Sequence, residues 1–211
     1  MVQTIIQQDT KRLIAYLSIA HMEIVVLGLF SNSIVGIEGA ILLAIAHGFV
    51  SPALFVCVGG IIYDRFHTRL IPYIRGLVLY MPTFVILFLI FSLANTGIPL
   101  TLKFLGEQLS LIGIWEKNPI SVVFEATSIV LSACYSIFLY NRLSYSSYSP
   151  YLPILKDINR REFLLLIPTV LLSIFPNVIL DTIHVFITQI LYIITPLFLS
   201  GQNLIINLHY L

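Results

Sequence analysis

Apolar runs separated by short polar breaks account for most of this chain. A helix needs about 20 mostly apolar residues to cross a hydrocarbon core roughly 30 Å thick. Runs near that length extend from Leu13 to Phe30, closed by Ser31-Asn32-Ser33, and from Ile37 to Tyr63, closed by Asp64, Arg65, His67 and Arg69. Two more run from Pro119 to Tyr140 and from Phe163 to Leu180. Between them, Gly76 to Trp115 is interrupted by Asn95-Thr96-Gly97-Ile98-Pro99, so it reads either as two spans or as one span built from two half-helices. Pro99 lacks an amide donor and disfavours helical dihedrals at Ile98, while Gly97 tolerates almost any backbone angle. The tail from Ile183 to Leu199 is apolar but carries His184, Thr188, Gln189 and Pro196, a pattern compatible with crossing, re-entering or lying flat in the interface. The polar, proline-marked stretch Ser144 to Pro153 reads as a loop, and no repeat or domain boundary is visible, so residues 1–211 are expected to form one membrane domain.

Charge chooses between the two readings of the interrupted run. With a single crossing, Lys11, Arg12, Arg65, Arg69, Arg75, Arg142, Lys156, Arg160 and Arg161 fall on one side and only Lys117 on the other. With two crossings the same loop charges divide six against four. The first arrangement has the strong positive-inside bias of membrane proteins and is preferred. The expected fold is therefore all-α: a polytopic transmembrane helix bundle of five spans, one of them broken (about 76–115), plus an apolar C-terminal helix of open placement. Broken helices survive in lipid only when buried in protein or facing a wet cavity, as in many ion and proton transporters.

Composition agrees. The chain is 58% hydrophobic and 10% charged, with a mean hydropathy of +0.98, against roughly 25% charged residues in soluble domains. A net charge of +1 leaves no basic face for nucleic acid. Cys57 and Cys134 each sit within an apolar run and are expected to be free thiols rather than a disulfide or metal ligands. Residues Met1 to Thr10 lack the apolar core and cleavage site of a secretory signal. Nucleotide-binding loops, nucleophile elbows and metal-ligand clusters are absent from the sequence, so any chemistry is expected to be proton movement.

The ionisable residues within the runs are His21, Glu23, His47, Lys103, Glu107 and Glu125, with Glu38 near a helix end. Such groups face the bundle interior, pair, or lose their charge. Lys103 and Glu107 are four residues apart and share a helical face just after the break, suited either to proton carriage or to a static ion pair. His47 shares a face with Ala40, Ala44 and Ser51, a row expected to let a neighbouring helix approach closely. Glu125 continues into Ser128, Ser132 and Ser136, which reads as a hydrated inward stripe or as serines bonded back to their own helix. His21 and Glu23 point in different directions and cannot form a dyad.

The segments Gln8-Asp9-Thr10-Lys11-Arg12-Leu13-Ile14-Ala15-Tyr16 and His21-Met22 resemble the entry to a late helix in the NADH-ubiquinone oxidoreductase chain 4 family. Ile45-Ala46-His47-Gly48, Tyr63-Asp64-Arg65, His67-Thr68-Arg69, Ser92-Leu93-Ala94-Asn95, Leu105-Gly106-Glu107, Tyr135-Ser136 and Leu139-Tyr140-Asn141-Arg142 continue the likeness in order, over residues 8 to about 182. The resemblance implies roughly the C-terminal half of an antiporter-like subunit of respiratory complex I, in the mitochondrial inner membrane with its positive loops in the matrix. It further implies the output half of a proton pathway, with His47 like a central-axis histidine, Glu107 like the exit-side carboxylate, and the break near Pro99 like the family's interrupted helix. Lys103 is an additional relay candidate, and Glu125, His21 and Lys11 are weaker ones. Leu17, the residues from Ile98 to Lys103, Glu23 and Glu125 depart from the family pattern. No cofactor is expected on this chain; FMN, iron-sulfur clusters, NADH and ubiquinone are expected in other subunits. The expected partners are a separate chain supplying the N-terminal half, suggested by Met1 only ten residues before Lys11, neighbouring antiporter-like subunits, and lipids. The alternatives are a cation/proton antiporter subunit and a structural membrane-arm subunit that has lost transport.

Overall fold

The computed structural model describes residues 7–145 and 156–174, together with Val185, Phe186 and Gln189. Helix α1 (Thr10–Leu29) begins where the Asp9 side chain accepts a hydrogen bond from the Lys11 amide. Helix α2 (Ile34–Phe55) begins where the Ser33 hydroxyl accepts from the Gly36 amide at 3.0 Å. These side chains satisfy amides that the first helical turn leaves without partners. Helix α2 contains Pro52 and continues through a π-helical stretch, Val56–Ile62, to a last turn at Tyr63–Phe66, closed by His67 in the left-handed region. Short 3₁₀ turns at Ile71–Tyr73 and Leu77–Leu79 lead to α3 (Pro82–Asn95). Helix α4 (Leu102–Trp115), α5 (Pro119–Ser144) and α6 (Arg160–Ile174) follow.

Among the described residues the protein is an all-helical polytopic bundle, with three helices long and apolar enough to cross a membrane. The lengths of α1, of Ile34–Phe66 and of α5 suit crossings, whereas α3 is shorter. Helices α3 and α4 have 14 residues each, about 21 Å at 1.5 Å per residue. Neither crosses a core of roughly 30 Å alone, so they act as the two halves of one interrupted span. Gly97 has φ +70° and Leu100 φ +83°, which turns the chain between the halves. The fifth expected span is described only as far as Ile174, and the tail, apart from Val185, Phe186 and Gln189, lies outside the described residues.

Apolar packing is concentrated toward one end. Leu13, Ile14 and Leu17 of α1, the end of α2 from Val50 to Ile62, Phe84, Phe88 and Phe91 of α3, Leu139 and Leu143 of α5, and Leu166 of α6 share one core. The same end is tied together by polar contacts. Arg65 donates to both carboxylate oxygens of Glu162, at 3.3 and 2.8 Å, and to the carbonyls of Ile61, Lys156 and Asp157. Helix α3 has Pro82 in its first turn but no side-chain cap of its own. Asp157 fills that role from across the bundle, accepting from the Thr83 amide at 3.0 Å, the Phe84 amide at 3.2 Å and the Thr83 hydroxyl. Burial would raise the Asp157 carboxyl, but hydrogen bonds from the Thr83 hydroxyl and from the Ile158, Thr83 and Phe84 amides together hold it below its ordinary value.

The close approach between α2 and α4 differs from the expected one. Ala40 and Ser51 are buried, but Ala44 is exposed, and the helices meet through glycines instead. Gly39 lies against Leu109 and Ser110, Gly106 against the Leu43 backbone, and Gly113 against Gly36. A Cβ on Gly106 would lie 2.8 Å from the Leu43 Cα, a separation that backbone cannot accommodate without moving. Small residues of this kind bring membrane helices into backbone contact.

Gly106→Val should destabilise the protein by about 1–3 kcal/mol through overpacking, read as a lower thermal midpoint in detergent. Gly48→Ala, where an added Cβ meets nothing within 4 Å, should leave that midpoint almost unchanged. Asp157→Ala should cost about 1 kcal/mol as a lost helix cap. Because the folded-state value of Asp157 is depressed, its contribution is present above the unfolded value and disappears as pH falls through the folded one. The difference between wild type and variant should therefore be full at neutral pH and vanish in acid.

Candidate functional site

Helices α1, α2 and α4 bury a polar cluster between the apolar layers, and Asn95 at the end of α3 completes it. Lys103, in the first turn of α4, is fully enclosed and points back across the break. Its ammonium donates to the Asn95 carbonyl, to Asn95 Oδ1 at 3.0 Å and to His21 Nε2 at 2.8 Å. One cation thus serves a backbone carbonyl at the C-terminal end of α3, where the helix dipole favours positive charge. His21 Nδ1 stands 3.6 Å from Glu107 Oε1, and Lys103 Nζ stands 4.0 Å from the same oxygen. Glu107 Oε1 is buried and has no hydrogen-bond partner among the described residues.

The Glu107 carboxylate rests against Gly97. A side chain at position 97 would collide with it, and the positive φ of Gly97 is itself unfavourable to other residues. The break therefore does two things: it releases the Asn95 carbonyl that holds Lys103, and it makes room for the carboxylate. Beyond His21, the ring of His47 lies 6.0 Å away between centroids, and His47 Nε2 shares a 2.7 Å hydrogen bond with the Ser18 hydroxyl. Half-buried Ser18 and buried His47, His21, Lys103 and Glu107 form a discontinuous polar line.

The hydrogen bonds assign a chemical order. An ammonium at Lys103 can only donate, so His21 Nε2 accepts and a neutral ring carries its proton on Nδ1, toward Glu107. A proton passed from Lys103 Nζ to Nε2 would be matched by one leaving Nδ1 for the carboxylate. The imidazole then returns to neutrality in the other tautomer. The 3.6 Å gap to Glu107 exceeds a hydrogen bond, so transfer requires a side-chain adjustment or an intervening water.

Of the residues singled out in the sequence, His47, Lys103, Glu107 and His21 are brought together. Lys11 is exposed at the start of α1, away from the cluster. Glu125 is buried on α5 but lies in a separate groove with Glu23. Its stripe is divided: Ser132 bonds back to Ile129, whereas Ser136 donates across to the Ser92 carbonyl of α3. Asn95 and Ser18 belong to the cluster and were not singled out. Asn95 is polar and stands at the mouth of the break, a signal available in the sequence; Ser18, a lone serine in an apolar run, gives none. Among the described residues, no three His, Cys, Asp or Glu side chains converge as metal ligands.

Comparisons with known proteins identify the chain's relatives. Residues 2–145 match the family described as NADH:quinone oxidoreductase/Mrp antiporter, TM. The chain is similar to NADH-ubiquinone oxidoreductase chain 4 of Mycosarcoma maydis, with 53% identity over 90% of this chain and 40% of that protein. It is also similar to the chain 4 of Marchantia polymorpha, with 43% identity over 89% of this chain and 39% of that one. A chain of the respiratory complex I from Thermus thermophilus with bound NADH superposes with a TM-score of 0.79 at 27% identity, covering 89% of this chain and 41% of that chain. The chain thus spans about 40% of the length of the curated relatives it matches.

Removing the ammonium should expose how the cluster is held. Lys103→Met leaves the Asn95 carbonyl, Asn95 Oδ1 and His21 Nε2 without their donor, at a cost of about 1–3 kcal/mol. Adding Glu107→Gln to that variant should cost less than the two single changes combined, because no unpaired charge remains. A double-mutant cycle on thermal unfolding in detergent measures the difference, and strict additivity would argue against coupling.

Proposed function

The chain belongs to the NADH:quinone oxidoreductase/Mrp antiporter transmembrane family, and from that membership we propose that it carries the output half of a proton pathway in a complex I membrane subunit. The observation that carries this reading is the polar line from half-buried Ser18 through buried His47, His21, Lys103 and Glu107, with two bases, a cation and a carboxylate oxygen that has no partner among the described residues, set around a helix break. Ionisable groups are retained inside a membrane at several kcal/mol each where they move charge. The family description covers both oxidoreductases and antiporters, and similarity to relatives named as chain 4 of NADH-ubiquinone oxidoreductase supports the former. By that likeness the chain resides in the mitochondrial inner membrane with its arginine-rich loops in the matrix, beside other antiporter-like subunits.

In this reading, His47 receives protons from the upstream axis, and His21 relays them between Lys103 and Glu107. Glu107 is the group that releases them, and Gly97 and Asn95 position the last two. Electron transfer, with its flavin, iron-sulfur clusters, NADH and ubiquinone, takes place in other subunits. In this reading the upstream polar axis belongs to the remaining length of the relatives, of which this chain matches about 40%, and a separate polypeptide carrying it is part of the proposal. Native mass spectrometry of the membrane complex tests that point, by finding or failing to find such a polypeptide beside the redox subunits.

The central test is Glu107→Gln in the assembled complex. Proton uptake driven by NADH oxidation in sealed vesicles should fall by about tenfold or more, with the subunits still co-purifying. Unchanged pumping would refute the role given to Glu107.

A further inference from the structure

Lys103 is 1% exposed, and its ammonium, which has three protons to give, meets three acceptors inside the protein. Two of them, the Asn95 carbonyl and Asn95 Oδ1, are oxygens of one residue at the C-terminal end of α3. A further oxygen, Glu107 Oε1, stands 4.0 Å from the ammonium, and the described residues give it no hydrogen bond. A carbonyl freed by the break, an amide oxygen and a carboxylate oxygen thus converge on one buried positive charge.

Nothing in these oxygens is particular to an amine. Hard cations take carboxylate and carbonyl ligands, and in transporters with broken helices the C-terminal ends of half-helices coordinate sodium. The end of the α3 dipole favours any cation placed there. Lysine differs in being covalently held: it is delivered from the first turn of α4, which the Thr101 hydroxyl caps by accepting from the Phe104 amide at 3.3 Å. From this ligand set we propose that Lys103 is a tethered cation occupying what is otherwise an alkali-ion site, and that it sets the selectivity of the cluster by keeping sodium and potassium out. Without the ammonium, Glu107 is a buried carboxylate with no cation and the two Asn95 oxygens have no donor; a sodium ion answers all three. His21 Nε2, a nitrogen, is not required as a ligand. Occupancy of the site by an ion stands by itself, whereas its consequence, a path open to protons but closed to alkali ions, rests on the function proposed above.

Equilibrium dialysis of the purified complex against radioactive sodium, with choline as the balancing cation, tests the assignment. Lys103→Ala frees the space of the ammonium and its methylenes and should gain about one sodium per copy of this chain over wild type. Lys103→Met fills that space and should gain none. Adding Glu107→Gln to Lys103→Ala removes the counter-charge and should weaken sodium binding by about tenfold or more. Equal binding by wild type and Lys103→Ala would overturn the proposal, as would an equal gain in Lys103→Met or a gain that survives Glu107→Gln. If Lys103→Ala assembles only with sodium present, the ion is replacing the ammonium and the proposal is supported; if it assembles with neither salt, sodium does not replace it and the proposal fails. Unchanged pumping in Glu107→Gln alone would refute the proton role and leave these binding results as they are.

Discussion

A helix interrupted inside a bilayer leaves carbonyls with no water to receive, and in this bundle one ammonium answers for the break. Lys103 reaches back from α4 to the Asn95 carbonyl that ends α3 and at the same time to His21 of α1. The interruption is tolerable because a buried cation is available, and the buried cation is tolerable because the interruption supplies acceptors. Each would be unfavourable without the other. The glycine contacts between α2 and α4 bring the second half-helix close enough to α1 for this bridge to form.

The same bridge sets the chemistry. Lys103 and Glu107 lie one helical turn apart, yet their charged atoms stand 4.0 Å from each other, because the ammonium is drawn toward Asn95 and His21. The imidazole is left between cation and carboxylate, facing each with a different nitrogen. A simple ion pair would hold its proton in place. Under the proposed function, a ring with two inequivalent nitrogens between the pair would let a proton change owners once the gap to Glu107 is bridged.

How much of this was legible in the sequence depended on the range of the interaction. Run lengths and loop charges gave the spans and favoured a broken third span, because hydrophobic thickness and the asymmetry of Lys and Arg act over the whole chain. The pairing of Lys103 with Glu107 followed from helical periodicity. The position of His21 between them did not, since it comes from a helix 82 residues away and depends on how closely glycines let the helices pack. Ala44 shows the converse: it belongs to a row of small residues that looked like one contact face, but it is exposed, while Ala40 meets Gly28 of α1 and the approach to α4 runs through glycines. Glu125, grouped with a serine stripe by periodicity, belongs to a groove on the far side of α1, a distinction only the tertiary arrangement makes.

The cap on α3 has a consequence for assembly order. Its first amides are satisfied by Asp157, which lies 74 residues further along the chain from Thr83. During synthesis, α3 enters the membrane long before its cap exists, and the loop carrying Asp157 emerges only after α5 has crossed. Until then the amides of Thr83 and Phe84 are open. The half-helix whose far end anchors Lys103 thus gains its N-terminal cap only after α5 has been made.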